Sequence, residues 1–344
     1  MMPNKNHSPE KTPFLIRLLQ IILYIPIQIL FIPFAIIGLI VGLYREMGNS
    51  KKLGVSFSAG QALQYRWFMH YLETRYDPLS VAFTKNFPCE SHFALWTIMG
   101  ALILSQRLFG FKTKLSEVAE PDEADLAAIS GVRVVTFDRI MERYLDEVEQ
   151  IVLPGAGFDL ITLKYTAGKK VKVFELDQVN SLNLKVKTLK KAGIKHDWVT
   201  YIPVDYAKES WADKLINAGF DKSKKTLFLW QSVSLYLDAD LVTATLQQMA
   251  ELCTEGSVIA QDFYSKAYSS GEYSFIAKRN MDLIASMGEP AKFGIDMSEN
   301  PKTSVASFLK ECGLEMTEYI QFGEKLDIKP FYCIVEAVPF PKEA

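Results

Sequence analysis

Residues 152–160 read VLPGAGFDL: an apolar run stops at Pro154 and breaks into Gly155-Ala156-Gly157, with Asp159 close behind. Glycines at the end of a strand let a ligand approach the backbone. About twenty residues on, a second apolar run ends in Glu175-Leu176-Asp177, where a carboxylate can accept hydrogen bonds from ribose hydroxyls. A third run ends in Asp205-Tyr206, an acid that can accept from an adenine amino group beside a ring that can cover the base. Taken in order, the three strand ends predict a site for an adenosine-containing cofactor.

The residues also bear on which cofactor. A dinucleotide fingerprint is G-x-G-x-x-G, but after Gly157 no glycine appears until Gly168. Asp159 would set a negative charge near any phosphates. S-adenosylmethionine has no phosphate and carries a sulfonium and an amino group, which suit nearby carboxylates. It is favoured over NAD, which stays as the oxidoreductase alternative.

The elements that must position these residues read as alternating strands and helices. Strands are expected at Ile151–Pro154, Val171–Leu176, Val199–Val204, Thr226–Trp230 and 257–263. Helices are expected at Lys185–Ala192, Leu241–Leu252 and Ser304–Cys312. Alternation argues for a mostly parallel sheet covered on both faces. The last two strands, Leu314–Phe322 and Phe331–Val338, have no helix between them and should form an antiparallel hairpin at one edge.

Upstream, residues 59–83 read as a helix closed by Asp77-Pro78. Ala94–Leu104 is a short apolar run suited to a buried or lid helix, and a charged amphipathic helix follows Arg133. Leu18 to Tyr44 holds no charged residue, and as a helix would be about 40 Å long, more than the roughly 30 Å hydrocarbon core. It is too long for a signal peptide and reads as a retained membrane segment, with a buried core helix as the alternative. Pro26 and Pro33 permit a kinked span or a re-entrant segment. Lys5, Lys11 and Arg17 precede it and Arg45, Lys51 and Lys52 follow, so charge sets no clear orientation. The break at Lys51–Gly60 divides an N-terminal tail and membrane segment (1–50) from a main domain (51–344) whose first part, about 51–149, is a helical lid.

Composition narrows the function classes. Apolar residues make up 49 % of 344, enough for a substantial core, and a net charge of -2 gives no basic surface for nucleic acid. His7, His70, His92 and His196 are scattered without ligand spacing, so no metal site is expected. Cys89, Cys253, Cys312 and Cys333 form no C-x-x-C and read as reduced thiols.

The segments SFSAGQAL, DPLSVAF, VRVVTFD, QIVLPGAGFD, VFELDQ, VTYIPVDY, GFDKSKKTLFLWQSVSLYL and GEPAKFGI, in this order, resemble the leucine carboxyl methyltransferase-like family of class I S-adenosylmethionine-dependent methyltransferases. The resemblance covers most of residues 55–338 and leaves 1–50 without a counterpart. It implies a Rossmann-like, seven-stranded methyltransferase sheet with an N-terminal helical lid. It implies that Arg133 pairs with the cofactor carboxylate, that Gly155 and Gly157 line the methionine part, that Glu175 holds the ribose, and that Asp205 and Tyr206 frame the adenine; Ala156 and Asp159 of the same turn are also expected to bind the cofactor. Gln231 falls in the cofactor amino or methyl region.

Three departures stand out: Asp159-Leu160-Ile161 replaces the family's Asp-Thr-Arg, Gln231-Ser232 replaces Glu-Gly, and Arg133-Val134-Val135 keeps one arginine of R-T-R.

The implied chemistry is methyl transfer to an oxygen, typically a carboxylate. Such a nucleophile is already ionised at neutral pH and needs no strong general base. No residue is assigned a catalytic role. The membrane segment and apolar lid suggest a hydrophobic or lipid-like acceptor, with Tyr65, Arg66 and Arg75 as candidates to steer an acidic head group. The expected protein is membrane-associated through residues 18–44, its catalytic domain facing the cytoplasm. The alternative is a catalytically silent, membrane-anchored S-adenosylmethionine-binding or scaffolding protein on the same fold.

Overall fold

A computed structural model describes residues 13–206 and 208–341. Lys5, His7 and Lys11 lie outside the described residues. The chain opens with α1 (Phe14–Leu43), which continues through a π-helical turn (Tyr44–Asn49) into α2 (Ser50–Leu53). Then come α3 (Phe57–Tyr71), α4 (Pro78–Asn86), α5 (His92–Phe109) and α6 (Ile129–Tyr144). The alternating part follows as β1 (Gln150–Pro154), α7 (Ile161–Thr166), β2 (Lys172–Asp177), α8 (Val179–Lys191), β3 (Val199–Pro203), α9 (Trp211–Asn217), β4 (Thr226–Trp230), α10 (Ala239–Leu252) and β5 (Val258–Tyr264). It closes with α11 (Lys266–Ser269), α12 (Phe275–Ser286), α13 (Pro301–Glu311), β6 (Leu314–Gln321) and β7 (Tyr332–Pro339).

The seven strands form one sheet in the order β3-β2-β1-β4-β5-β7-β6. The first five are parallel, and β7 runs antiparallel to both β5 and β6, so the terminal hairpin lies at the edge as expected. The order reverses direction at β1, between β2 and β4, which is where an open sheet of this kind leaves a crevice at its carboxyl ends. Strand alternation sends Val152, Phe174 and Trp230 into one apolar layer and Ile151, Leu153 and Leu229 into the other. The sheet is thus covered on both faces.

Four boundaries in particular differ from expectation. The helix read through residues 59–83 stops at Tyr71; Glu73 takes a left-handed backbone (φ 60°), and Asp77-Pro78 starts α4. Asp77 accepts from Ser80 N–H at 3.0 Å, and Pro78 at the first helical position has no N–H to lose. The helix expected from Lys185 starts six residues earlier, at Val179, and α6 begins at Ile129 rather than after Arg133. The break at 51–60 narrows to Gly54–Ser56, where Gly54 (φ 62°) caps α2 and Ser56 caps α3.

Pro26 and Pro33 sit inside α1 without ending it. The buried-core alternative fails: Leu30 is 67 % and Ile40 64 % exposed, and only Gln20 and Gly38 of α1 are buried. Among the described residues, α1 with its continuation to Leu53 is the one helix long and apolar enough to cross a bilayer. One of its sides lies along α5, with Tyr24 stacked on Phe111 at 4.3 Å and Gln20 Nε2 donating to the Phe109 carbonyl at 3.0 Å.

Candidate functional site

The glycine turn is held open by its neighbours. Gly155 (φ 70°) and Gly157 (φ 47°) both take backbone conformations that suit glycine, and Val233 occupies the space a Cβ at Gly155 would need. Gly155 N–H faces the Tyr206 hydroxyl at 3.0 Å, and Gly157 N–H donates to Asp177 Oδ2 at 2.7 Å. Asp159 accepts from Ile161 N–H at 2.8 Å. The turn therefore draws together the ends of β1, β2 and β3.

Above it lies a cavity of about 810 Å³, within the range of small-molecule and cofactor sites. Its walls include Gly155, Ala156, Gly157, Asp159, Tyr206 and Gln231 at the sheet, and Arg133 from α6. Tyr65 and Arg66 close it from α3, and Met281 and Ile284 from α12. A smaller groove of about 430 Å³ lies at the opposite, amino-terminal ends of the strands, away from these residues.

Glu175 does not reach the cavity. It is fully buried within β2, where Lys185 Nζ pairs with it at 2.6 Å and Thr162 donates to its other oxygen. Lys185 also donates to the Asp159 carbonyl at 2.5 Å, tying this buried pair to the glycine loop. Two residues further along the strand, Asp177 lines the cavity instead. Burial raises the Asp177 carboxyl above its ordinary range, against the opposing pull of the Gly157 and Gln178 N–H groups.

Asp205 is also displaced from its expected role. Its carboxylate pairs with Lys208 at 2.9 Å and does not line the cavity, whereas Tyr206 does. Asp159 lines the cavity, but its charge is matched by Arg66 at 2.5 Å, which removes the argument that it alone would repel phosphates. Arg75 is not a cavity residue. It is buried between Asp77 and Asp138, with Nε 2.5 Å from the latter, and joins the connection between α3 and α4 to α6.

Arg133 enters a network that spacing along the chain does not reveal. It donates to the Ser232 hydroxyl; Ser232 in turn contacts Asp262 through N–H at 2.6 Å and Oγ at 2.9 Å. Tyr332 donates to the same carboxylate at 2.6 Å. Burial raises the Asp262 carboxyl, and the nearby Arg133 charge opposes that rise. Ser232 has φ 53°, left-handed backbone at the position where the resembling family carries glycine. Gln231 Nε2 is buried at the cavity wall with no hydrogen-bond partner among the described residues. That unmet donor, the flanking Asp177 carboxylate and the Arg133 cation fit a ligand carrying hydroxyl, ammonium and carboxylate groups.

On the far wall, Glu289 receives Phe57 N–H at 2.5 Å and Ser58 Oγ at 2.6 Å, clamping the segment after α12 to the start of α3. Both clamped segments, GEPAKFGI and SFSAGQAL, were legible as motifs; their contact was not.

A model of the leucine carboxyl methyltransferase family matches residues 91–250. Two relatives carry the name "putative S-adenosyl-L-methionine-dependent methyltransferase". The one from Frankia alni is 28 % identical over 147 residues, 42 % of this chain and 51 % of the relative. The one from Mycolicibacterium gilvum is 30 % identical over 155 residues, 42 % and 48 %. The chain thus spans about half the length of the curated relatives it matches. Among solved structures, the mitomycin 7-O-methyltransferase overlaps 62 % of this chain and 55 % of its own, at 14 % identity and a TM-score of 0.42. The sheet is mixed and seven-stranded with flanking helices, the arrangement that the sequence resemblance implies. Residues 91–250 are thus similar to the leucine carboxyl methyltransferase family, and the relatives matched carry the name of S-adenosylmethionine-dependent methyltransferases.

Proposed function

We propose that this protein is an S-adenosylmethionine-dependent O-methyltransferase that acts at a membrane on a carboxylate of a hydrophobic or lipid-like small molecule. The observation that carries the reading is the cavity at the carboxyl ends of β1, β2 and β4, walled by Gly155–Gly157, Asp177 and Arg133, in a chain whose residues 91–250 match that family's model. In this reading Arg133 binds the cofactor carboxylate, Gly155, Ala156 and Gly157 line its methionine part, and Asp177, not Glu175, accepts from its ribose. Tyr206 flanks the base, and Gln231 orients the cofactor near its amino group. When bound, S-adenosylmethionine supplies an electrophilic methyl group on a sulfonium.

The chain's own contribution is positioning and exclusion of water. Helices α3 and α12, latched by Glu289, roof the cavity, and Tyr65 and Arg66 face it from α3. With a carboxylate acceptor no proton need be removed, which agrees with a cavity that has no histidine or cysteine on its walls among the described residues. Residues 51–344 act as one catalytic domain with its lid at about 51–149. Helix α1 supports the membrane setting by length and composition; placing the domain on the cytoplasmic side is part of this reading.

Gln231, in place of the family's glutamate, favours a second reading: a protein that binds the cofactor but does not turn over. Two measurements separate the readings. Calorimetry with S-adenosylhomocysteine should show binding; none at millimolar concentration defeats both. Incubation with methyl-labelled S-adenosylmethionine and membrane extract should transfer label to an extractable apolar acid; binding without transfer leaves the silent reading standing.

A further inference from the structure

The membrane helix is attached to the soluble domain at both of its ends. At one end Arg17 donates to the Lys112 carbonyl at 2.7 Å and Gln20 to the Phe109 carbonyl at 3.0 Å. At the other, Arg45 donates to the Glu90 carbonyl at 3.2 Å and Asn49 to the Pro88 carbonyl at 2.7 Å. Between them α1 runs antiparallel along α5. Phe31 covers Gly100, where a Cβ would come within 2.5 Å of the ring, and Gly38 rests on Thr97. Small residues at both crossings let the two helices approach closely.

Helix α5 is in turn fixed to the domain. Trp67 Nε1 donates to His92 at 3.0 Å and Gln106 to the Leu72 carbonyl at 2.7 Å. A perpendicular crossing by α1 would therefore carry α5 with it, and with α5 the polar groups at its back. Each charged side chain taken to the bilayer centre costs roughly 2.5–3.5 kcal/mol on insertion scales. Nothing in the packing separates the helix from those groups.

The arrangement suits one leaflet. An α-helix is about 10–12 Å across, and one leaflet offers about half of the roughly 30 Å core. On α1 the residues away from α5 are apolar and open, among them Leu15, Ile22, Ile29 and Ile40. Phe93, Leu104 and Leu108 of α5 are exposed and, at helical spacing, share the face whose Thr97 and Gly100 meet α1. They extend the apolar surface past the seam. Cations sit at both ends, Arg17 and Lys114 at one and Arg45 and Lys52 at the other, where their stems can reach head groups of the same surface.

We infer that α1 lies in the plane of the membrane, within a single leaflet, and that its partner is a bilayer surface entered from one side. This deepens the membrane part of the proposed function and rests on it. It also sets the leaflet beside the site, because Ser50, Lys51 and Gly54, at the end of the same continuous helix, belong to the cavity wall. An acceptor with an apolar body then reaches the cavity from the leaflet.

The test uses the full chain expressed in cells, with single cysteines placed at Pro13, Lys52 and Lys114, all exposed positions. The four native cysteines are buried and give little background. Sealed right-side-out and inside-out vesicles are treated with a membrane-impermeant maleimide. The expected result is that Pro13→Cys, Lys52→Cys and Lys114→Cys all react in one vesicle population and all lose labelling in the other. Labelling of Pro13→Cys opposite to Lys52→Cys overturns the in-plane inference while leaving membrane association intact. Recovery of the wild-type chain in the soluble fraction, with no flotation on phosphatidylglycerol-containing vesicles, overturns the membrane reading itself. Should one cysteine variant fold poorly, Phe14→Cys replaces Pro13→Cys and Leu53→Cys replaces Lys52→Cys.

Discussion

Two acidic residues of β2 make a sharp pair of substitutions. Glu175 and Asp177 are carboxylic acids two positions apart, yet one is sealed against Lys185 and the other faces the cavity. Glu175→Gln leaves a fully buried ammonium without a counter-charge. Breaking a buried pair on one side costs about 3–5 kcal/mol, and the amide oxygen that remains sets the expectation near the lower end, about 3 kcal/mol. At about 2 °C per kcal/mol for a chain of this size, Tm should fall by about 6 °C. Cofactor affinity of the folded protein should change little. Asp177→Asn should do the reverse. It disturbs one N–H acceptor, worth about 1 kcal/mol of stability, but removes a charge-assisted contact to the ribose worth about 1.5–3 kcal/mol. That is roughly a 10- to 150-fold rise in Kd for S-adenosylhomocysteine. Differential scanning fluorimetry reads the first quantity and calorimetry at a temperature well below both melts reads the second. If Glu175→Gln weakens binding at unchanged Tm while Asp177→Asn binds normally, the assignment of the two acids is wrong. The double variant Glu175→Leu/Lys185→Met adds a control: with both charges gone, most of the lost stability should return.

Three further outcomes follow from the same geometry. Gly155→Ala places a side chain at φ 70° against Val233, and left-handed strain of about 1–2 kcal/mol plus overpacking of about 1–3 kcal/mol should appear together in urea unfolding. Glu289→Ala removes the acceptor of Phe57 N–H and Ser58 Oγ, so amides at the start of α3 should exchange faster with deuterium, at a cost of about 1–2 kcal/mol. Glu90 is buried beside Glu46, with Gln64 donating to both its oxygens, and burial holds its carboxyl well above the usual range. A carboxyl raised by folding adds stability that is fully present below its unfolded pKa and is lost as pH rises through its folded pKa. The wild type should therefore lose stability on the alkaline side of the ordinary carboxylate range more steeply than Glu90→Gln, as measured by Tm against pH.

The strands were legible because each is a short apolar run with a turn signal at its end; Thr226–Trp230 matches the structure at both bounds. The helices before the sheet were less so. Asp77-Pro78 can stop one helix or start another with the same chemistry, and the sequence alone does not say which; here it starts α4. Asp262 was out of reach for a different reason. It lies thirty positions beyond Ser232, and only the pairing of β4 with β5 brings the two within hydrogen-bond distance. The packing of α1 on α5 likewise depends on Gly38 and Gly100, which read as ordinary glycines of apolar helices until the partner helix is known.

The choice between Glu175 and Asp177 is different, because the sequence did carry a signal for it. The rule that places an acid about twenty residues after the glycine turn counts along the chain and cannot tell two acids of one strand end apart. Both stand on the same side of an alternating strand, so alternation does not separate them either. Depth does: Glu175 is paired across the sheet with Leu153 and Tyr201, inside the layer, whereas Asp177 stands at the strand's end beside the loop. The clue to that depth is on the next helix. Leu182, Lys185 and Leu189 fall at positions i, i+3 and i+7, one inward stripe of α8, and all three are buried. A lysine in an inward apolar stripe requires a buried carboxylate to meet it. Ten residues upstream, Glu175 is that carboxylate, and an acid already committed to a buried lysine is not available to a ribose.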